Sequence, residues 1–250
     1  MSDAVLTTRN GSVLHITLNR PEVRNAIDSD VCRGVLAALE QLDTDPDLRV
    51  GVLSGAGGTF CAGLDLRAFA EHGLPKGIGR MFRHQGPRPL IAAVEGAALG
   101  GGLELALVAD LMVAAEGATL GSPEVRFGLF PGGGALLKLP RTMPLAAVTR
   151  LALTGEPLSA RQAHDLGLVV ELAPAGGALE AATALATTIA GNAPLGIRTA
   201  LDLLRRLPGG ADEQLWGVQD AMVADVFTSD DAREGARAFA ERRAPRWTGR

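Results

Sequence analysis

Cysteine and histidine are scarce in this chain, and their positions exclude several kinds of site. The 250 residues contain only two cysteines, Cys32 and Cys61, and four histidines that are far apart in the sequence. Neither residue type shows the short, repeated spacing with which cysteine and histidine side chains enclose a zinc ion. We therefore expect no structural or catalytic metal, and we expect both cysteines to remain free thiols.

An excess of positive charge is also missing. The 24 lysine and arginine residues are outnumbered by 28 aspartate and glutamate residues, which gives a formal net charge of −4 at pH 7. The pI is correspondingly about 5.6. Because nucleic-acid-binding domains carry a basic surface, we expect no nucleic-acid partner.

Long hydrophobic runs are absent as well. The longest uncharged stretch, residues 181–197, contains three threonines, an asparagine and a proline, so it predicts a soluble helix and its turn and not a membrane span. The opening residues, MSDAVLTTRN, lack the basic segment and apolar core of a secretory signal. We expect a cytoplasmic protein with no membrane partner.

Glycine is abundant, at 32 residues, but it does not form the usual phosphate-binding motifs. Both glycine triplets, residues 100–102 and 132–134, fail the dinucleotide pattern G-x-G-x-x-G, because leucine stands where the third glycine is needed. No glycine precedes a Lys-Ser or Lys-Thr pair, and no serine lies in G-x-S-x-G. These absences exclude a P-loop and a hydrolase nucleophile elbow.

The first half of the chain alternates strand patterns with helix patterns. The segment VLHITLN alternates apolar and polar residues, and LRVGVLSG and PLIAAVEG are short apolar runs closed by glycine, so all three predict strands. Two further extended pieces flank Glu116 and Gly117. A helix capped by Ser29 or Asp30 is expected to end near Leu42, and a second helix is expected after CAGLDL. This alternation predicts an α/β fold.

From Leu145 onward, helical periodicity replaces the strand pattern. The C-terminal third is therefore predicted to be helical, including a helix within residues 211–227.

The first glycine triplet stands between a predicted strand and an apolar helix that carries one carboxylate, Glu104. A helix that begins near Gly101 leaves backbone N–H groups unpaired at the positive end of its dipole, with no side chain to block approach. The turn GTFCAGLDL could present a second donor, the N–H of Leu64. Two such donors predict a site that stabilises an oxyanion, such as the enolate formed from a carbonyl group.

Several motifs, in order along nearly the whole chain, resemble the crotonase superfamily, specifically its enoyl-CoA hydratase/isomerase family. They are NRPEVRNAID, FCAGLDL, VEGAALGGGLELALVADLMVA, LGSPEVRFGLFPGGG, LTGEPLSARQAHDLGLV and DDAREGARAFAERRAPRW. The resemblance implies a spiral of repeated ββα units in residues 1–195 and a helical association segment in residues 196–250. It also implies a homotrimer, or a hexamer made of paired trimers.

The resemblance assigns roles to individual residues. It implies that the N–H groups of Leu64 and Gly101 form an oxyanion hole and that Glu104 and Glu124 are the catalytic carboxylates of a hydratase. The substrate would be an acyl-CoA thioester, so CoA enters as part of the substrate and no separate cofactor is expected. The residues implied to bind this substrate are Arg24, Ala62, Leu64, Leu66, Gly100, Leu136 and Leu137.

One segment departs from the family's pattern. Family hydratases often read PGAGGTQRL, whereas this chain has Leu136 and Leu137 in place of the threonine and the glutamine. We expect these leucines to line the acyl pocket and to alter its preference. The glycine triplet before them is expected to be a tight turn that leads into a helix.

Local pattern alone leaves other interpretations open. Glu104 could be a solvated helix residue or part of a buried ion pair, and Glu124 could simply be the first acid of a helix. The activities left open are hydration of 2-trans-enoyl-CoA to 3-hydroxyacyl-CoA, double-bond migration by an isomerase, and CoA or partner binding without turnover. A serine peptidase on a related spiral fold is a further alternative, but no Ser/His/Asp spacing supports it.

Overall fold

The computed structural model describes residues 4–206, 229–241 and 243–250. It shows two β-sheets with helices packed around them. The helix expected within residues 211–227 lies outside the described residues.

The main sheet has six strands, and all but one of its neighbouring pairs are parallel. In spatial order the strands are β1 (Val5–Asn10), β2 (Val13–Leu18), β3 (Val50–Gly55), β4 (Leu90–Val94), β6 (Leu111–Ala115) and β9 (Glu171–Ala173). Strands β1 and β2 form an antiparallel hairpin at one edge. The three strands expected from the apolar runs are confirmed as β2, β3 and β4.

A second, smaller sheet contains β5 (Ala97–Leu99), β7 (Thr119–Gly121) and β8 (Leu158–Ser159). Strand β4 leads into β5, and β6 leads into β7, so the chain passes from the main sheet to the small sheet and then to a helix. Each pass is a ββα unit, and the parallel pairing of β5 with β7 stacks one unit on the next. The fold is therefore the α/β spiral that the resemblance implied.

Helices connect the strands and cover the sheets. They are α1 (Ser29–Thr44), α2 (Leu66–His72), α3 (Ile78–Phe82), α4 (Gly101–Ala106), α5 (Ala135–Lys138), α6 (Leu145–Thr154), α7 (Ala160–Asp165), α8 (Ala178–Ala190), α9 (Pro194–Arg206) and α10 (Asp230–Glu241). The helix expected after CAGLDL is confirmed as α2, and the Asp65 side chain caps it by accepting a hydrogen bond from the Ala68 N–H.

Both faces of the central strands of the main sheet are buried, because their side chains alternate between two apolar clusters. On β3, Leu53 belongs to the larger cluster, which also contains the buried face of α1, whereas Val50 and Val52 belong to the other. That second cluster is closed by four alanines of α8, namely Ala178, Ala182, Ala186 and Ala190. Burial on both faces explains why β3 and β4 are short apolar runs, whereas β2, nearer the edge, alternates apolar residues with His15 and Thr17.

Two expectations from the sequence need correction. The cap of α1 is Asp28, whose carboxylate accepts hydrogen bonds from the N–H groups of Asp30 and Val31, so the choice of Ser29 or Asp30 was wrong. The C-terminal third is not purely helical, because the short strands β8 and β9 complete the two sheets by pairing with β7 and β6. The division between residues 195 and 196, which falls within α9, stays a prediction.

Asn25 fixes the loop that precedes α1 against the loop that follows β3. This fully buried residue has a left-handed φ of 57°, which asparagine tolerates better than most residues do. Its side-chain amide donates to the carbonyls of Ala56 (2.9 Å) and Thr59 (2.7 Å), and its side-chain oxygen accepts from the N–H of Arg20 (2.9 Å). This amide therefore helps to fix the position of the loop around residue 60.

We predict that Asn25→Ala lowers the free energy of unfolding by about 2 to 4 kcal/mol, because buried carbonyl groups lose their donor. Urea denaturation measures the difference. Asn10→Ala, at an exposed position, is the control and should change stability by no more than about 0.5 kcal/mol. Equal stability of the two variants would show that the amide hydrogen bonds contribute little.

Candidate active site at the ends of the small sheet

The parallel pairing of β5 and β7 brings two chemically distinct segments together. Leu99 lies opposite Gly121 in the register, and the Gly100 N–H donates to the Gly121 carbonyl at 2.8 Å. The segment after β5 is the first glycine triplet, and the segment after β7 carries Glu124. Because parallel strands end at the same edge of a sheet, the glycines and the carboxylate become neighbours although they are far apart in sequence.

Two backbone N–H groups at this edge have no hydrogen-bond acceptor among the described residues. Gly101 is the first residue of α4, so its N–H has no acceptor within the helix. The residues flanking Leu64 pair with Ile27, through the Ile27 N–H to the Gly63 carbonyl (2.7 Å) and the Asp65 N–H to the Ile27 carbonyl (3.0 Å). That pattern leaves the Leu64 N–H facing away from Ile27, with no acceptor among the described residues.

Glycine at three positions keeps the space beside these donors open. A Cβ added to Gly101 would lie 3.6 Å from the Leu64 nitrogen, and a Cβ added to Gly63 would lie 3.5 Å from the Gly101 nitrogen. Both donors therefore border the same small volume. Gly100 has φ 55° and ψ −126°, a conformation that only glycine adopts readily, and it turns the chain into α4.

Glu104, on the first turns of α4, is almost completely buried, at 5% exposure. Its Oε1 accepts hydrogen bonds from the N–H groups of Gly133 (2.6 Å) and Ala135 (3.3 Å), so its Oε2 remains available to a ligand. Burial raises the pKa of Glu104, and the nearby charge of Glu124 adds to the rise, while the N–H donors oppose it. Glu104 is thus held in place by the second glycine triplet.

Glu124 begins a short 3-10 helix that follows β7. The Ser122 hydroxyl donates to its Oε2 at 2.7 Å. Its Oε1 is buried and has no hydrogen-bond partner among the described residues, and a Cβ added to Gly100 would lie 3.5 Å from this oxygen. An unpaired buried carboxylate oxygen is costly, so its position beside a cavity indicates that a ligand supplies the partner.

A cavity of about 380 Å³ lies against all of these groups. Leu64, Gly101, Glu104 and Glu124 are on its wall, so the structure brings together the residues predicted as oxyanion hole and catalytic pair. Most of the remaining wall is apolar and is formed by Phe69, Leu74, Ile78, Phe82, Leu129 and Phe130.

The other predicted substrate-binding residues differ in their placement. Gly100 adjoins Glu124. Arg24 lies beside the turn that contains Leu64, because its carbonyl accepts a hydrogen bond from the Ala62 N–H at 2.9 Å. Leu66, the first residue of α2, follows the same turn. Leu136 and Leu137 on α5 do not line the cavity, and their exposed fractions are 37% and 75%. The inward positions of this segment are Gly133 and Ala135, which are bound to Glu104.

Sequence reasoning missed the apolar wall and the role of the second glycine triplet. A Cβ on Gly133 would overlap the Phe82 ring and the Glu104 carboxylate, so only glycine fits there. Lys138 was also missed: its Nζ donates to the carbonyls of Phe82 (3.0 Å) and Leu107 (2.9 Å) and so ties α3 to the end of α4. The signal for the wall was the set of leucines, isoleucine and phenylalanines in residues 69–82 and 129–130.

The described part of the chain has no group of three or more histidine, cysteine, aspartate or glutamate side chains placed to hold a metal ion. Within the same ranges, no helix combines the length and the hydropathy needed to cross a membrane.

Comparisons with known proteins match this chain to one family. The family model described as enoyl-CoA hydratase/isomerase matches residues 8–250. A curated relative, enoyl-CoA hydratase EchA19 of Mycobacterium tuberculosis, is 38% identical over 98% of this chain and 96% of its own length. Another, carnitinyl-CoA dehydratase of Salmonella typhi, is 38% identical over 100% of both chains.

Solved structures with a similar fold carry the same family name. An enoyl-CoA hydratase from Mycobacterium tuberculosis H37Rv superimposes with a TM-score of 0.95 at 47% identity, and 100% of each chain is covered. The fold and the sequence thus match the same group of proteins over their whole length. The chain belongs to the enoyl-CoA hydratase/isomerase family.

Proposed function

We propose that this protein is a lyase that hydrates 2-trans-enoyl-CoA to 3-hydroxyacyl-CoA. The observation that carries the proposal is the meeting of two carboxylates, Glu104 and Glu124, with the unpaired N–H groups of Leu64 and Gly101 at one cavity. CoA belongs to the substrate, and the proposed chemistry needs no further cofactor.

The two N–H groups would bind the thioester carbonyl oxygen. Withdrawal of electrons by these donors makes C3 of the enoyl group electrophilic and stabilises the enolate that forms when water adds. Because the donors are fixed backbone groups at the start of α4, they need little reorganisation during the reaction. Gly100 and Gly101 would let the thioester approach the backbone closely.

The carboxylates would move the two protons of the reaction. Glu104 would hold the water and remove its proton, since its raised pKa makes it a stronger base than an ordinary carboxylate. Glu124 would deliver a proton to C2 from Oε1, the oxygen without a partner, while Ser122 holds Oε2. Addition of water and proton across the double bond then gives the 3-hydroxyacyl thioester.

The wall of the cavity favours an uncharged acyl group. Its side chains are mainly phenylalanine, leucine and isoleucine, and Arg83 is the cation among the described lining residues. A carnitinyl group, named in one set of relatives, carries a quaternary ammonium that Arg83 would repel. Dehydration of a 3-hydroxyacyl thioester is the reverse of hydration, so the two groups of relatives still share one class of reaction.

The CoA moiety is proposed to lie along the turn of residues 62–66, next to Arg24.

A homotrimer or a hexamer is likewise proposed. Exposed apolar side chains on α6, Leu145 and Leu153 at 68% and 73%, support a surface that associates with another protein chain. In this proposal the molecule acts on a small thioester, with no nucleic-acid or membrane partner.

The first test replaces each carboxylate with its amide. Glu104→Gln and Glu124→Gln should each lower hydration of crotonyl-CoA by at least about 100-fold, the lower range for loss of a general acid or base. The double variant should be hardly slower than the slower single variant, because groups that act as a unit are not additive. Glu116→Gln, at an exposed position, is the matched control.

The same variants separate a hydratase from a double-bond isomerase. An isomerase needs one carboxylate to carry a proton between C2 and C4, so one of the two single variants would keep most activity on a 3-enoyl-CoA. Full hydration activity in both single variants would rule out the two-carboxylate mechanism.

The second test concerns the oxyanion hole. Proline is tolerated at the first position of a helix, so Gly101→Pro should fold but lack the donor, and kcat should fall at least about 100-fold. Gly101→Ala adds a Cβ and keeps the N–H, so it is the control for the loss of glycine at this position, although it lacks the ring carbon that proline bonds to the nitrogen. If the folded proline variant turned over as fast as the alanine variant, the Gly101 N–H would have no role.

The third test uses the raised pKa of Glu104. The pKa of Glu104 is higher in the folded state than in the unfolded state, so the folded state binds the proton more tightly. The free energy of unfolding therefore falls as the pH rises through the interval between these two pKa values. Glu104→Gln lacks this titration. Its unfolding free energy relative to the unmodified protein should therefore increase from pH 4 to pH 7, as measured by urea denaturation; a constant difference would show that the pKa is not raised.

A further inference from the structure

A second cavity lies at the opposite ends of the main-sheet strands from the candidate active site. Its volume is about 230 Å³, and it shares no lining residue with the catalytic cavity. Arg49 and Pro89, which directly precede β3 and β4, form one side, and the first turns of α9 form another. We call it the arginine cavity, after its lining residues Arg49, Arg88 and Arg198.

The three guanidinium groups have few partners. Arg49 donates to the Ala190 carbonyl (2.9 Å), and Arg198 donates to the Gly249 carbonyl (3.2 Å). Arg88 is partly buried, yet it forms no hydrogen bond or ion pair with any residue in the described ranges. A buried guanidinium loses hydration, and a partner normally compensates for that loss.

Nearby acids only partly balance this charge. Burial, and then the positive charge of Arg198, lower the pKa of Arg88, while Asp43 and Asp45 oppose the shift. Asp45 already pairs with Arg9 at 3.4 Å. Asp43 contacts His84 at 3.4 Å, and burial lowers the pKa of that imidazole. The cavity therefore keeps a concentrated positive potential.

Two more features match a doubly charged oxyanion. Helix α9, 13 residues long, begins at the cavity with Pro194, so the positive end of its dipole adds to the arginine charges. The planar fork of a guanidinium fits phosphate oxygens, and several cations around one site favour a dianion over a monocarboxylate. Pro46 and Ile197 add apolar surface that could contact an organic group.

We propose that the arginine cavity binds a phosphate dianion, as inorganic phosphate or as the phosphate group of a small organic ester. Arg88 supplies the principal hydrogen bonds, and Arg49 and Arg198 supply charge from the sides. This binding is independent of the hydration reaction proposed above.

Isothermal titration calorimetry of the full chain tests the proposal, with inorganic phosphate and phenyl phosphate as ligands at constant ionic strength. Saturable binding of either ligand is expected. Arg88→Gln should raise its Kd about tenfold or more, because hydrogen bonds to a charged group are lost. Arg198→Gln is a second variant, which should also weaken binding. Arg161→Gln removes an exposed cation elsewhere, on α7, and should leave the Kd unchanged.

The two ligands distinguish the sources of phosphate. Tighter binding of phenyl phosphate supports an organic ester, and equal binding supports free phosphate. Absence of saturable binding, or unchanged binding in both Arg88→Gln and Arg198→Gln, overturns the proposal. The KM for enoyl-CoA should be unaltered in Arg88→Gln; a raised KM would place the cavity within the substrate site and would also overturn it. The calorimetry remains decisive even if the protein hydrates no enoyl-CoA.

Discussion

The arrangement of the site depends on the parallel pairing of β5 with β7. These two short strands place Gly100 beside Gly121, and all the proposed chemistry follows from the segments that leave them. One segment starts α4 and provides a backbone donor, and the other delivers Glu124. A shift in register by one residue would exchange the faces of the β7 side chains and would displace the segment that carries Glu124 relative to the glycines.

Burial of Glu104 is the main energetic cost of this arrangement. A carboxylate among apolar side chains is unstable unless donors compensate for lost hydration. The compensation comes from the second glycine triplet, whose backbone reaches the carboxylate because Gly133 has no side chain. Lys138 adds a positive charge nearby and joins α3 to α4 through two carbonyls. The same contacts orient the carboxylate and shape the cavity.

Much of the fold was predictable, and the exceptions have physical causes. The central strands were recognised because burial on both faces makes them apolar runs closed by turn residues. Strands β8 and β9 have only two and three residues, too few to show a period, and their pairing depends on neighbours far away in sequence. For the site, local pattern predicted the donors of Leu64 and Gly101, and the family resemblance implied Glu104 and Glu124. Leu136 and Leu137 lie outside the cavity, because the segment that begins α5 directs Gly133 and Ala135 towards Glu104 instead.

The sequence alone determined the α/β class, the family resemblance, and the presence of glycines and carboxylates suited to thioester chemistry. These properties reside in local composition and in the order of motifs. Only the tertiary structure decided which carboxylate oxygen is free, which backbone groups hold Glu104, and which apolar side chains enclose the cavity. It also brought Arg49, Arg88 and Arg198 together from three separate elements. Such contacts join residues distant in the chain, and no local pattern contains them.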